Sequence, residues 1–546
     1  MAERQSNQRA VWLVCLLAFL LSVPSLNRAF YTRGEPREAL VSQSMLATGN
    51  WISPPAYNGA VPSKPPFSHW LTALVSLPGG EVTESTARLP SAIAYLAFSL
   101  GLFIFLRHRA GEGVALVASS ILLSSFEWLR SGSTCRVDTI LATSMAGAML
   151  ALFAWNERGR SGIPWLALVL LCAAALTKGP VGVVLPLGLF CAYRLLSEGI
   201  SVRSFFRCGL MATCIAPPVL GVVSAWYIAG YLTRGDEFLQ KIWYENVERF
   251  ASTMVDEPHS HSVFYLLGML LVMILPWSGA WLLSAGRSRG AFVLLRSPRD
   301  WWRRASELER FSMLSALGIV LFFCVPSSKR SVYLLPAYPF IAILAGLWLE
   351  RWESEARALL RGVACLTKGL AFLLPILSLT LVFLPDTFGV PWFPEAQRAA
   401  VGPIKLLCVV SALVLVWRLR GSGLAESVAV WVIACTAVAG VSVVDAGMMR
   451  ISPKQWLASE DFQKAVNPAE RERFYSFGSE AYAASFYLKK PFFGATRGIP
   501  SGSIVFVEPK NLERLKSELG SEVRELARYS SGLEGKRATL VVETVR

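Results

Sequence analysis

Blocks of mostly apolar residues alternate along this chain with short polar connections, and the blocks are long enough to cross a bilayer, which takes about 20 residues of helix. Windows of that length place spans near 10–27, 88–106, 113–129, 137–155, 163–178, 180–196, 209–229, 263–285, 311–326, 332–350, 363–384, 403–418 and 426–445. After Met449 the pattern changes. Strand-like runs at Phe474–Phe477, Ser503–Val507 and Ala538–Val542 alternate with helical spacing at Ser479–Leu488 and Asn511–Leu519. The fold class expected is therefore mainly α, a polytopic transmembrane helical bundle of about 13 spans over 1–449, with a small C-terminal α/β domain over 450–546.

One polar stretch breaks the rhythm early. Residues 31–87 form a loop between the first two spans, and its first part holds Arg33, Glu35, Arg37, Glu38, Lys64 and His69 among aromatic residues and prolines. Pro36 to Thr48 has helical spacing, with Ala39, Leu40, Met45 and Leu46 on one face and Ser42, Gln43 and Ser44 largely elsewhere. This predicts a short helix in the membrane interface, with Pro36 at its first position and Glu35 and Arg37 at its first turn.

Composition sharpens the picture. Of 546 residues, 53% are hydrophobic and only 17% charged, which excludes an ordinary soluble protein. The net charge of +15 sits in short loops and forms no stripe, so it argues for the positive-inside rule and against a nucleic-acid partner. Arg-rich connections alternate along the chain, which puts the N-terminus in the cytoplasm and the C-terminal domain outside, in a multi-pass protein of the cell's inner (plasma) membrane. Val11–Leu26 has no small-residue cleavage site and reads as a retained first helix. The ten cysteines follow no CxxC spacing and read as small core residues, and there is no internal repeat, P-loop or GxGxxG.

The candidate chemistry gathers on the outer side. Glu35 at a helix start and Asp138 at a span end are placed to act as a general base; the plainer reading pairs them with Arg37 and Arg136. Arg37, Lys64, Arg136, Lys178, Arg249, Lys329 and Arg330 give that side surplus positive charge, which suits a phosphate, though some of them can simply anchor helix ends. Charges at the ends of apolar helices should turn into a shared polar cavity, because facing lipid is expensive. Glu38, Glu245 and Tyr333 lie in the same segments. His259 and His261 lack a clear third ligand, so no metal is implied, and His69 beside Trp70 reads as interfacial packing. Trp51, Trp70, Trp128, Trp226, Trp243 and Trp277 read as an aromatic belt.

In order, Glu35-Pro36-Arg37, Met45 to Trp51, Lys64-Pro65-Pro66 with His69-Trp70-Leu71, Ala87-Arg88-Leu89-Pro90 and Arg136-Val137-Asp138 resemble the ArnT-like, protein-mannosyltransferase-related glycosyltransferases of the GT-C superfamily. The resemblance continues through Leu176-Thr177-Lys178-Gly179-Pro180, Glu245 to Phe250, Leu275-Pro276-Trp277 and Ser328-Lys329-Arg330 with Tyr333 to Pro336. It implies transfer of a sugar from a polyprenyl-phosphate carrier, the donor substrate, to a lipid (lipid A-like), glycan or protein acceptor on the non-cytoplasmic face. It also implies that Arg37, Lys64, Arg249 and Lys329 offset the charge of the leaving phosphate. That family opens the first loop with an Asp-Glu pair, and here the first position is Gly34. Either Glu35 or Asp138 then serves as base, or the acceptor is itself a phosphate, or activity is weakened. A transporter or flippase of lipid-linked saccharides is the alternative class, against which stands the crowding of charges at span ends instead of mid-membrane.

Overall fold

A computed structural model describes residues 26–62, 64–245, 261–274, 277–278, 297–326, 329–351, 452–478, 480–495, 499–520, 522–529 and 538–545. The spans expected at 363–384, 403–418 and 426–445, and nearly all of those at 10–27 and from 279 to 285, lie outside these residues. The helices in order are α1 (Gly34–Thr48), α2 (Phe67–Ser76), α3 (Glu84–Ser124), α4 (Phe126–Gly132), α5 (Val137–Glu157), α6 (Trp165–Lys178), α7 (Val181–Glu198), α8 (Val202–Arg234), α9 (Asp236–Trp243), α10 (Phe264–Met273), α11 (Pro298–Arg304), α12 (Glu307–Cys324) and α13 (Tyr338–Arg351). Among the described residues five segments are long and apolar enough to cross a membrane: 84–124, 137–157, 181–198, 202–234 and 331–350. They match expected spans closely.

One expectation is refined. The spans predicted at 88–106 and 113–129 form a single helical run interrupted at Gly111, whose φ of 89° is a left-handed conformation that only glycine takes cheaply. The run folds back there. Tyr95 Oη donates to the Leu123 carbonyl at 2.7 Å, whereas 28 residues of straight helix would hold them about 42 Å apart. The returning arm stops at Ser124, because Ser125 is extended, and α4 follows as a separate turn.

Local sequence sets the helix ends. Thr83, Ser201 and Ser306 close capping boxes at the starts of α3, α8 and α12, and Gly49 ends α1 in the left-handed region. Helix α1 begins at Gly34, so Pro36 is its third residue and not its first; the missing N–H still falls in the first turn, where no intrahelical partner exists. Its buried face also departs from the apolar spacing. Glu35, Glu38 and Ser42 are buried beside Ala39, Val41 and Met45, while Leu40 is only half-buried, because α1 meets α2 through polar contacts such as Ser42 Oγ to the His69 carbonyl at 3.2 Å.

Helices α6 and α7 approach closely at Gly182, where a Cβ would stand 2.5 Å from the Ala174 carbonyl carbon. Because backbone cannot step aside as a flexible side chain does, Gly182→Val is expected to lower stability by about 1–3 kcal/mol. A thermal melt of the purified protein checks this; an unchanged melting temperature would mean that the two helices part easily.

Residues 452–545 build a five-stranded sheet from β1 (Phe474–Phe477), β2 (Phe492–Gly494), β3 (Ile504–Val507), β4 (Val523–Tyr529) and β5 (Thr539–Thr544), in the order β2-β1-β3-β5-β4. The first three are parallel, β5 runs antiparallel to β3, and β4 antiparallel to β5 with an irregularity between Glu525 and Ala527. Four short helices accompany them: α14 (Pro453–Leu457), α15 (Glu460–Val466), α16 (Tyr482–Leu488) and α17 (Leu512–Leu519). Alternation divides the core: Phe474, Ile504 and Phe506 face α15 and α16, while Phe477, Val505 and Val507 face Leu515 of α17. This layer rests on the 31–87 loop and the start of α3. Tyr487 Oη accepts from the Phe30 N–H at 2.7 Å, Tyr57 Oη donates to Ser476 Oγ at 3.0 Å, and Lys454 pairs with Glu84 at 2.7 Å.

Candidate active site

The charges that the sequence scatters over 31–64, 136–138, 178 and 245 meet at one end of the bundle. The start of α1, the Lys64 turn, the first turn of α5 and the last residue of α6 bring them there. Asp138, nearly buried, receives the Lys178 ammonium at 2.7 Å and faces the Arg136 guanidinium at 3.7 Å. Lys178 Nζ lies 4.4 Å from the centre of the Tyr333 ring, over its face. Lys64 pairs with Glu245 at 3.0 Å, and Lys241 reaches the same carboxylate at 3.7 Å.

Around Glu38 a second group forms. Its Oε1 takes Arg37 Nε at 2.9 Å and its Oε2 takes His69 Nε2 at 2.8 Å. Burial pushes the Glu38 carboxyl up, but Arg37 and the His69 hydrogen bond outweigh it and hold it well below the usual carboxylate range. His69 is thus 2% exposed and bound to a carboxylate, not the interfacial packing residue that its neighbour Trp70 suggests.

Glu35 stands apart from both groups. Neither of the partners suggested by sequence, Arg37 and Arg136, holds it; Arg88 does, at 2.7 Å, with both side chains fully buried. Glu35 also accepts the backbone N–H groups of Cys135 at 3.2 Å and Tyr31 at 3.3 Å, and Arg88 donates to the carbonyls of Leu26 at 3.0 Å and Ala29 at 3.2 Å. The pair ties together the start of α1, the start of α3 and the turn before α5. Gly34 has its own neighbour: a Cβ there would stand 3.2 Å from Arg136 Cζ, so the bare backbone gives that guanidinium its room.

Lys329, 3% exposed, donates to the His261 carbonyl at 3.0 Å, and Arg330 is half-buried just before the turn that carries Tyr333. His261 stacks on Tyr265 at 4.0 Å. Arg249 and His259 lie outside the described residues. Sequence reasoning assigned no individual role to four charged groups. Arg88 was legible as a charge just inside an apolar helix; Glu127 with Arg130, and Lys241, carried no local signal. The aromatic belt needs correction too, because Trp128 and Trp226 are 1% and 7% exposed and belong to the packed interior.

Counting the two groups, Arg37, Lys64, Arg136, Lys178 and Lys241 oppose Glu38, Asp138 and Glu245, five cations against three carboxylates. Such a site can take an anion against its surplus cations while keeping one carboxylate ionised to accept a proton.

A family model described as dolichyl-phosphate-mannose-protein mannosyltransferase matches residues 63–226. An undecaprenyl phosphate-alpha-4-amino-4-deoxy-L-arabinose arabinosyl transferase of Pseudomonas paraeruginosa is 29% identical over 376 residues, which cover 67% of this chain and 65% of that protein. The match thus spans just under two-thirds of that curated relative's length. The same-named protein of Edwardsiella ictaluri is 26% identical over 84% of this chain and 80% of its own. Among solved structures, ArnT from Cupriavidus metallidurans bound to undecaprenyl phosphate superposes with a TM-score of 0.71 at 21% identity, over 98% of each chain. The archaeal oligosaccharyltransferase AglB from Archaeoglobus fulgidus reaches 0.52 at 12% identity, over 94% of this chain and 70% of its own. The resemblance read from the motifs therefore holds in sequence and in fold.

Proposed function

We propose that this ArnT-like GT-C protein is an integral-membrane glycosyltransferase, moving a sugar from a polyprenyl-phosphate donor to a lipid acceptor on the non-cytoplasmic face of the inner membrane. The observation that carries the reading is Asp138, an enclosed carboxylate with Lys178 at 2.7 Å and Arg136 at 3.7 Å, beside a Lys64 that turns into the same space. The names of the curated relatives supply the donor class, an undecaprenyl phosphate carrying an amino sugar.

The chemistry follows from the charges. Asp138 accepts the proton of an acceptor hydroxyl, whose oxygen attacks the anomeric carbon. The bond from that carbon to the phosphate oxygen breaks, and the released phosphate is met by Lys64, Arg136, Lys178 and Arg37. Preorganised cations in a water-poor site stabilise that developing charge more than water does. Of the two candidate bases, Asp138 is favoured because Glu35 is already saturated by Arg88 and two backbone N–H groups. Lys329, held on the His261 carbonyl, is a further cation of the proposed wall.

The thirteen-span topology with its N-terminus inside belongs to the same reading. Docking of the 452–545 sheet on the loop that carries Glu35 supports a common side for sheet and site.

Membranes containing the protein, incubated with a radiolabelled polyprenyl-phosphate sugar, should pass label into the lipid fraction. Label in the protein or glycan fraction would change the acceptor, and movement of intact carrier across the membrane without transfer would make the protein a flippase. Lys64→Ala should raise the KM for donor about tenfold or more, since a hydrogen bond to a charged group contributes about 1.5–3 kcal/mol, and leave that for acceptor unchanged. An unaltered donor dependence would remove Lys64 from the phosphate site.

A further inference from the structure

Ser53 and His69 are 1% and 2% exposed, and neither Ser53 Oγ nor His69 Nδ1 has a hydrogen-bond partner among the described residues. Both line one small space beside Lys64, whose volume is about 10 Å³, the room of a single water. Apart from Lys64 the remaining side chains around it are apolar, Trp226 included, because its Nε1 is taken by the Ile52 carbonyl at 2.9 Å. Buried polar atoms are satisfied as a rule, by water where the protein does not reach them. One molecule in this space meets both needs. The walls are also tied to one another. Trp70, next to His69, donates from Nε1 to the Trp51 carbonyl at 2.6 Å. Asn50 brackets Ser53, with Oδ1 taking its N–H at 3.0 Å and Nδ2 donating to its carbonyl at 2.9 Å.

The other side of the imidazole leads to the candidate site. His69 Nε2 meets Glu38 Oε2 at 2.8 Å. An ionised Glu38 only accepts, so the network puts the ring proton on Nε2 and leaves Nδ1 to accept from the water. With Oε2 taken, Arg37 is confined to the other oxygen, and its Nε, at 2.9 Å, and Nη2 both go to Oε1. Neighbouring residues on a helix point about 100° apart, so this side-on contact sets the turn of the guanidinium. It leaves both Nη1 hydrogens without a partner among the described residues and available to a phosphate. Were Oε2 free, Arg37 would close the two-pronged pairing that a guanidinium makes with a carboxylate, and would turn from the phosphate toward Glu38.

We propose that one buried water bridges Ser53 Oγ and His69 Nδ1, and that the chain from Ser53 through this water and His69 to Glu38 aims Arg37 at the donor phosphate. His69 is then a positioning residue. The proposal rests on the glycosyltransferase reading, in which Arg37 meets that phosphate. Farnesyl phosphate titrated against the full-length protein in nanodiscs tests it through a double-mutant cycle. Arg37→Ala should weaken binding about tenfold or more, the loss of a hydrogen bond to a charged group. His69→Phe should weaken it about threefold to tenfold while Arg37 is present, and by less than about twofold once Arg37 is alanine. His69→Gln, whose amide N–H stands in for Nε2–H, should bind within about twofold of wild type. Ser53→Ala should cost about twofold to fivefold in the first background and nothing in the second. Equal losses in both backgrounds would mean that His69 acts on the fold at large and would overturn the proposal. So would wild-type binding by His69→Phe, and an unaltered Ser53→Ala would remove the water from the chain. A wild type that binds no farnesyl phosphate, or an Arg37→Ala protein that binds it normally, would overturn the phosphate reading and the positioning with it. Ser53→Ala deletes a single hydroxyl, so it carries the cycle alone if His69→Phe fails to fold.

Discussion

Asp138→Asn protein should extract, purify and melt much as the wild type does, yet transfer sugar about 10²- to 10⁴-fold more slowly, the usual contribution of a general base. The reasoning is geometric. Asparagine keeps the shape, and its carbonyl oxygen still accepts from Lys178, now 2.7 Å from the carboxylate, so the last turn of α6 stays where it is. What disappears is the negative charge to which the proposed mechanism gives the acceptor's proton. A second consequence follows: Lys178 and Arg136 lose their counter-charge, so a bare polyprenyl phosphate should bind the variant at least as tightly as wild type. Slow turnover with undiminished phosphate binding is the expected pair of results. Full activity would exclude Asp138 and return the proton to Glu35, or to an acceptor that needs no base.

The largest effect on stability should come from Arg88→Met. Arg88 and Glu35 are both fully enclosed at 2.7 Å, and removing one member of a buried pair leaves the other charged without compensation, at about 3–5 kcal/mol. Three backbone carbonyls, those of Leu26, Arg28 and Ala29, lose a donor as well. The yield of monodisperse protein and its melting temperature should fall together. Glu35→Gln, which keeps the side chain's shape and one oxygen to accept from Arg88 and the Cys135 N–H while losing the bond to the Tyr31 N–H, should be milder. A well-folded Arg88→Met protein would show that the pair is not what fixes the first turn of α1.

How far the sequence reaches can be judged from these residues. Apolar blocks identify the long helices because lipid demands length and hydropathy, and a capping box such as Thr83 with Thr86 marks a start without help from the fold. Charges at span ends are expected to turn toward one another for the same reason, and Asp138 with Lys178 is such a pair. Partner choice was not legible. Arg88 lies 53 positions from Glu35, and no local pattern says that it, and not Arg37, will be the nearest cation. The buried face of α1 was misread because burial there is polar, with Ser42 and Glu38 turned onto His69. Strand β4 was missed because Val-Arg-Glu-Leu-Ala-Arg-Tyr, an edge strand with exposed charges, lacks period-two alternation, and β2 because three residues give no period at all.

The seating of the sheet on the Glu35 loop also bears on how the molecule is made. Phe30 and its partner Tyr487 are 457 positions apart, so at about 5–20 residues per second a ribosome needs roughly 20–90 s to deliver the second after the first. Throughout that interval the Glu35 loop has emerged without the layer that will cover it. Biosynthesis therefore completes this end of the protein late, and a ribosome that stalls before β1 leaves a membrane-inserted bundle whose chemistry has no roof.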